Sequence, residues 1–328
     1  MGENMKTVKL TAAQALVRYM MAQRVIVDEQ DLPLFAGMFA IFGHGNVAGL
    51  GEALYQVREE FPTFRAHNEQ GMAHAAIAYA KARMRRQMMA CTTSVGPGAT
   101  NMVTAAALAH VNRLPLLLLP GDVFANRRPD PVLQQIENFI DPTMVANDCF
   151  KPVSRYWDRI TRPEQLITSL PQAIRVLTSP ADCGPVTLCL PEDVQAESFD
   201  YPVAFFERRY HGQKRPEPDQ SELSRALEIL SRAKKPLIIA GGGVLYSGAA
   251  DTLASFAGRY AIPVAETQAG KGSLPWNHDC AVGAIGVTGS TTANELAQQA
   301  DVILSIGCRL SDFTTGSRSL FQNPDVTL

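Results

Sequence analysis

The chain has 328 residues, 46% of them hydrophobic and 19% charged, with a formal net charge of −2. That length exceeds one compact core and predicts two domains, while the near-neutral charge gives no electrostatic reason to expect nucleic acid or a membrane surface as a partner. Six cysteines without CxxC spacing (Cys91, Cys149, Cys183, Cys189, Cys280 and Cys308) read as buried thiols of a reducing compartment and argue against a disulfide or zinc framework.

In chain order, Thr11 is placed to cap an amphipathic helix, AAQALVRYMM. Arg18 interrupts that apolar run, so no signal peptide is expected and the protein reads as soluble and cytoplasmic. A strand within residues 34–42 ends at Gly43-His44-Gly45-Asn46. Open α/β sheets place ligands in loops at the carboxyl ends of their strands, although a histidine in such a loop commonly has no ligand duty.

Residues 64–101 then read as strand, helix, strand and glycine turn. Asn68 can cap the helix by accepting a backbone N–H, and Glu69 falls in its first turn, where the helix dipole favours negative charge. Gly71, Ala73, Ala75, Ala76, Ala78 and Ala80 leave that helix with little bulk. The second strand, 87–93, runs into Ser94-Val95-Gly96-Pro97-Gly98, whose glycines let a ligand approach the main chain. The next helix is expected to start at Thr100 or Asn101 and to run over 102–110. Taken singly, Glu69 is a helix-start carboxylate and the turn an ordinary connection.

Residues 116–120 are continuously apolar, as a parallel strand covered on both faces should be. The apolar burst from Leu114 is far too short to span a bilayer. NRRPDP, 126–131, with its two prolines, must be a loop; it carries Arg127 and Arg128 and leads to Leu133-Gln134-Gln135. Residues 185–190 read as the strand that closes a first domain, 1–195. A polar, proline-bearing linker, 196–219, follows. A second domain, 220–328, opens with a helix capped by Ser221 and continues with strands at 236–240, 262–265 and 301–306 and a helix at 249–260. Alternating strands and helices predict an α/β fold class, two parallel-sheet three-layer domains of which the second is Rossmann-like. Gly241-Gly242-Gly243 invites a dinucleotide reading, but Tyr246 stands where the third glycine of G-x-G-x-x-G would be. Residues 326–328 read as the start of a further strand, so a longer polypeptide is expected.

The segments HNEQGMAHAAIAYAKAR and TTSVGPGATN together resemble the pyrimidine-binding domain of thiamine-diphosphate enzymes of the acetolactate synthase type. In that family the run is close to R-H-E-Q-G-A-A-H-A-A-x-G-Y-A-R, followed by T-S-x-G-P-G-A-T-N. His67, Glu69-Gln70-Gly71, His74-Ala75-Ala76, Tyr79-Ala80, Thr93-Ser94 and residues 96–101 match, while Asn68 departs from the commonest form. The resemblance implies that Glu69 is the catalytic carboxylate. It would hydrogen-bond the aminopyrimidine N1′ and favour the imino tautomer that removes the thiazolium C2 proton, so that C2 attacks a substrate carbonyl.

It further implies cofactor contacts from Glu69, His44, Ser94, Gly96, Pro97, Gly98, Asn101 and Gln134. Substrate contacts would come from His44, Asn126, Arg127 and Arg128. Relatives hold Mg2+ and the diphosphate on a third domain with a Gly-Asp-Gly motif. None occurs in these 328 residues, so no metal ligand is expected in this chain. Because the pyrimidine domain of one subunit meets the diphosphate domain of another in that family, a homodimer or homotetramer is implied. Some relatives carry FAD or ADP on the middle domain; here a structural middle domain is expected.

PGDVFANRRPDPVLQQIE, ETQAGKGSLPWNH, GAIGVTGSTTANELA and RLSDFTTGS resemble a branch of the family in inositol catabolism. That branch hydrolyses the C–C bond between the carbonyls of a polyhydroxylated cyclic 1,2-diketone, giving 5-deoxy-D-glucuronate. An acetolactate synthase-like carboligase, a 2-oxoacid decarboxylase, or a non-catalytic module if the chain is naturally this short, stay open as alternatives.

Overall fold

Uninterrupted apolar stretches become the inner strands of a parallel sheet, because only a strand with neighbours on both sides and helices on both faces can bury every residue. The computed structural model describes residues 6–212 and 215–328, and the chain divides into two units, Met1–Lys214 and Arg215–Leu328. The first unit contains β1 (Phe35–Ala40), β2 (Thr63–Arg65), β3 (Met88–Thr93), β4 (Leu116–Asp122), β5 (Tyr156–Arg159) and β6 (Pro185–Pro191). They pair in parallel in the order β2-β1-β3-β4-β6-β5. Every residue of β3, β4 and β6 is buried.

Among the described residues the longer helices on this sheet are α1 (Ala12–Met21), α2 (Glu69–Ala82), α3 (Val103–Asn112) and α4 (Leu166–Leu177). α1 and α4 share a core with Ala90, Leu117, Leu119, Val186 and Leu188. α2 and α3 pack together on the opposite face, where Cys91 Sγ lies 4.0 Å from the Met72 carbonyl oxygen. α1 starts on a reciprocal cap: Thr11 Oγ1 accepts from Gln14 N at 3.2 Å and Gln14 Oε1 accepts from Thr11 N at 3.0 Å.

The chain leaves β1 toward β2 and then crosses back to β3 on its other side. This reversal opens a crevice at the carboxyl ends of β1 and β3, where doubly wound sheets bind ligands. The loops holding His44, Glu69 and Ser94 all leave this edge of the sheet.

One expectation for the first unit needs correction, and one strand carried no expectation at all. β6 is the last strand of this sheet in chain order, as expected, but β5, with the half-buried sequence YWDR, pairs outside it at the sheet edge. Its two charges hide it from an apolar search. The stretch 196–219, expected as a linker, is structured over 198–210. Ser198–Pro202 pairs antiparallel with Thr7–Thr11, and Arg209–Tyr210 joins Gln23–Val27. Tyr201 and Phe205 are buried there, with Phe205 stacked on Tyr19 at 4.5 Å between ring centroids, so alternate aromatic residues outweigh the polar composition. Gln213 and Lys214 of that stretch, like the first five residues of the chain, lie outside the described residues.

The second unit holds β7 (Pro236–Ala240), β8 (Val264–Glu266), β9 (Ala281–Ala284) and β10 (Val302–Ile306), parallel in the order β9-β8-β7-β10. Its first helix, Gln220–Arg232, is capped by Asp219 and not by Ser221. The Asp219 carboxylate accepts from Ser221 N at 2.9 Å and Glu222 N at 3.2 Å. A Cβ on Gly241 would run into the Gly307 carbonyl, and one on Gly243 would meet Gly307 Cα at 2.5 Å. The triplet therefore lets the turns after β7 and β10 cross at backbone contact, a packing reason independent of any ligand. Among the described residues no helix is long and apolar enough to cross a membrane.

Candidate active site

Two turns at the sheet reversal build the site. In the first, Asn68 is extended and its Oδ1 accepts from Gly71 N at 2.8 Å, which makes Glu69 the opening residue of α2. In the second, Gly96 at φ +67° reverses the chain after β3. A Cβ at Gly96 would run into the Gln134 carbonyl oxygen. Pro97 then starts a single helical turn, Pro97–Thr100, ahead of α3. Helical structure thus begins earlier than Thr100 or Asn101, because proline's fixed φ suits a first helical position and glycine supplies the reversal before it.

That early turn places Asn101 beside Glu69, from which it is separated by 32 residues: Asn101 Nδ2 donates to Glu69 Oε2 at 2.7 Å. The other carboxylate oxygen faces Gly98, where a Cβ would sit 3.3 Å from Glu69 Oε1 and 2.8 Å from Thr93 Oγ1. The missing side chain of Gly98 leaves Oε1 uncovered. An open pocket of about 500 Å³ is lined by Glu69, Ser94, Pro97, Gly98, Thr100, Asn101 and Gln134.

Six of the residues named from the sequence thus meet in one pocket, and Thr100 joins them. Gly96 supports it from behind through Gln134, itself at φ +67°. His44 does not line this pocket. Its carbonyl accepts from Val95 N at 3.0 Å, stitching its loop to the glycine turn, while its Nε2 lies 3.1 Å from Glu192 Oε2. Asn126 is also elsewhere, donating from Nδ2 to Asp193 Oδ2 at 2.8 Å and accepting from Arg128 N at 2.8 Å. Arg127 and Arg128 are exposed on that loop. Glu192 and Asp193 carried no signal in the sequence beyond their place after a strand.

A buried ion pair stiffens the same edge. Burial pushes the Asp122 carboxyl up, and Arg159, with Nε 2.8 Å away, acts in the opposite direction. Arg159 also reaches Asp148 at 3.2 Å, and Asn147 Nδ2 donates to the Gly121 carbonyl at 2.9 Å. These contacts tie the carboxyl ends of β4 and β5 together. Among the described residues no group of three or more His, Cys, Asp or Glu side chains is arranged to hold a metal ion.

Two family profiles match the chain. One, described as the thiamine pyrophosphate enzyme N-terminal TPP binding domain, covers residues 37–141. The other, the thiamine pyrophosphate enzyme central domain, covers residues 223–328. A protein of Bacillus cereus named 3D-(3,5/4)-trihydroxycyclohexane-1,2-dione hydrolase is 53% identical over 322 residues, 98% of this chain and 50% of the relative. One of the same name from Clostridium tetani is 52% identical over the same shares. The chain spans about half the length of the curated relatives it matches.

Proposed function

This chain carries the N-terminal and central domains of the thiamine pyrophosphate enzymes, and on that premise we propose that it is part of a thiamine-diphosphate-dependent hydrolase. The enzyme opens 3D-(3,5/4)-trihydroxycyclohexane-1,2-dione to 5-deoxy-D-glucuronate by cleaving the C–C bond between its carbonyls. The observation that carries the cofactor half of this reading is the Glu69 carboxylate, with Oε2 held by Asn101 and Oε1 left open above Gly98. The substrate half is supported by identity that runs through both domains to relatives of that name.

The residues fit an aminopyrimidine. A flat ring needs a carboxylate oxygen for its edge and a backbone without Cβ atoms for its face, and Glu69 with Gly98 offers both. When bound, the cofactor supplies the electron sink for breaking a bond between two carbonyl carbons. Glu69 would hold the ring nitrogen through Oε1, with Asn101 fixing the carboxylate through Oε2, and Ser94 and Gln134, which line the same pocket, would bound the ring. Gly96 and Pro97 set the turn that carries these groups. Mg2+ and the diphosphate would be bound outside this chain's residues, in a longer, homo-oligomeric protein. Within this chain, the unit that ends at Lys214 forms the pyrimidine domain and the unit from Arg215 belongs to a structural middle domain.

The test is a substrate assay of the full-length gene product with thiamine diphosphate and Mg2+. Conversion of the cyclic diketone to an open-chain deoxyuronate is expected. Condensation or decarboxylation of a 2-oxoacid, with the diketone untouched, would replace this reading.

A further inference from the structure

The turn that follows β6 has no part in the Glu69 pocket, yet it holds both loops that the sequence offered to the substrate. Gln195, 2% exposed, donates from Nε2 to the Gly45 carbonyl at 2.5 Å and accepts from Leu50 N at 3.0 Å, pinning the loop of His44. Three residues earlier, Glu192 Oε2 lies 3.1 Å from His44 Nε2; that oxygen is buried and makes no aligned hydrogen bond. Between them, Asp193 accepts from Ala125 N at 2.9 Å through Oδ1, and from Asn126 N at 3.2 Å and Asn126 Nδ2 at 2.8 Å through Oδ2.

We propose that Glu192 and Asp193 are positioning residues for the substrate, fixing the His44 imidazole and the Asn126 amide against one rigid segment. The inference rests on the diketone reading above and adds what aligns the substrate side. A carboxylate beside Nε2 favours a proton on that nitrogen and leaves Nδ1 as the acceptor of the neutral ring. Asn126 Oδ1 is already taken by Arg128 N, and one Nδ2 hydrogen by Asp193. What remains is one acceptor on His44 and one N–H donor on Asn126. A polyhydroxylated ring bearing two carbonyls can use both, as a hydroxyl donates to the first and an oxygen accepts from the second. Neither group would keep its direction alone, since each sits on a loop.

The near-isosteric variants Glu192→Gln and Asp193→Asn in the full-length holoenzyme test this. Glu192→Gln removes the charge 3.1 Å from His44 Nε2 and Asp193→Asn removes an acceptor of Asn126, and either loss should cost about tenfold. Asp193→Asn should show it as a raised KM for the diketone, with kcat little changed. Glu192→Gln should lower kcat/KM in the wild-type background and add nothing in a His44→Gln background. Thiamine diphosphate affinity, measured by calorimetry, should not move in either variant. Additive losses in the His44→Gln background, or losses that follow weakened cofactor binding or a lowered melting temperature, would show a merely structural role. The two readings fail separately. Full activity in Glu69→Gln would remove the thiamine reading, whereas an inactive Glu69→Gln with wild-type behaviour in both of these variants would overturn only this inference.

Discussion

Replacing Asn101 with alanine removes one contact, the 2.7 Å hydrogen bond from Nδ2 to Glu69 Oε2, and leaves the carboxylate free to rotate. A hydrogen bond to a charged group contributes roughly 1.5–3 kcal/mol when well buried. Both side chains here are only half-buried, so the lower end, about 1.5 kcal/mol, is the appropriate figure, and it corresponds to roughly tenfold in rate. In the full-length enzyme, Asn101→Ala should therefore lower kcat/KM by about tenfold. Combined with Glu69→Gln it should add almost nothing, because an aimed carboxylate is no longer there to lose. Steady-state kinetics of the two single variants and the double variant supply the cycle. Wild-type rates in Asn101→Ala, or a full further tenfold loss in the double variant, would refute the claim that Asn101 acts through Glu69.

Gly96→Ala places a Cβ against the Gln134 carbonyl at a residue with φ +67°; a loss of about 2 kcal/mol or more is expected in denaturant unfolding, and an unchanged midpoint would contradict it. Asp301 accepts from Lys234 N at 2.7 Å and Lys235 N at 2.9 Å, and these bonds, the first above all, hold its carboxyl below the ordinary value. A depressed folded pKa gives stability that is present above the unfolded pKa and lost as pH falls through the folded one. Asp301→Asn should thus cost no more than about 1 kcal/mol at neutral pH, and the gap to wild type should close in acid; a gap that persists in acid would argue against it. The glycine triplet of the second unit packs against Gly307, so full-length protein should show no flavin absorbance and no heat of binding with ADP; a yellow preparation would overturn a structural middle domain.

The parallel strands were legible because β3, β4 and β6 are apolar at nearly every position, and the start of α2 because Asn68 has a cap's chemistry. Glu69, Ser94, Pro97, Gly98, Asn101 and Gln134 were legible as a group only through family resemblance; composition and period said nothing of their meeting. The role of Asn101 escaped because its partner lies 32 residues away and because the turn that delivers it starts at Pro97, a consequence of the positive φ at Gly96. Strand β5 was missed because Asp158 and Arg159 interrupt a short segment whose pairing with β6 is set by tertiary context. Phe199 and Tyr201 alternate like a strand, yet the charged run after them, ERRYHGQKR, dominated the composition. His44 was seen, but the carboxylate facing it belongs to a residue 148 positions on, and no local pattern announces such a pair.

The central claim is that Glu69 is the carboxylate on which the chemistry turns, and Glu69→Gln in the complete, cofactor-loaded enzyme tests it most directly. A neutral amide keeps the size and hydrogen-bonding reach of the side chain but cannot hold the ring nitrogen's proton, so turnover of the diketone should fall by at least about a hundredfold. Circular dichroism and the melting temperature should stay at wild-type values, since Glu69 lines an open pocket and is not part of the core. Near-normal turnover in a folded Glu69→Gln enzyme would contradict the account.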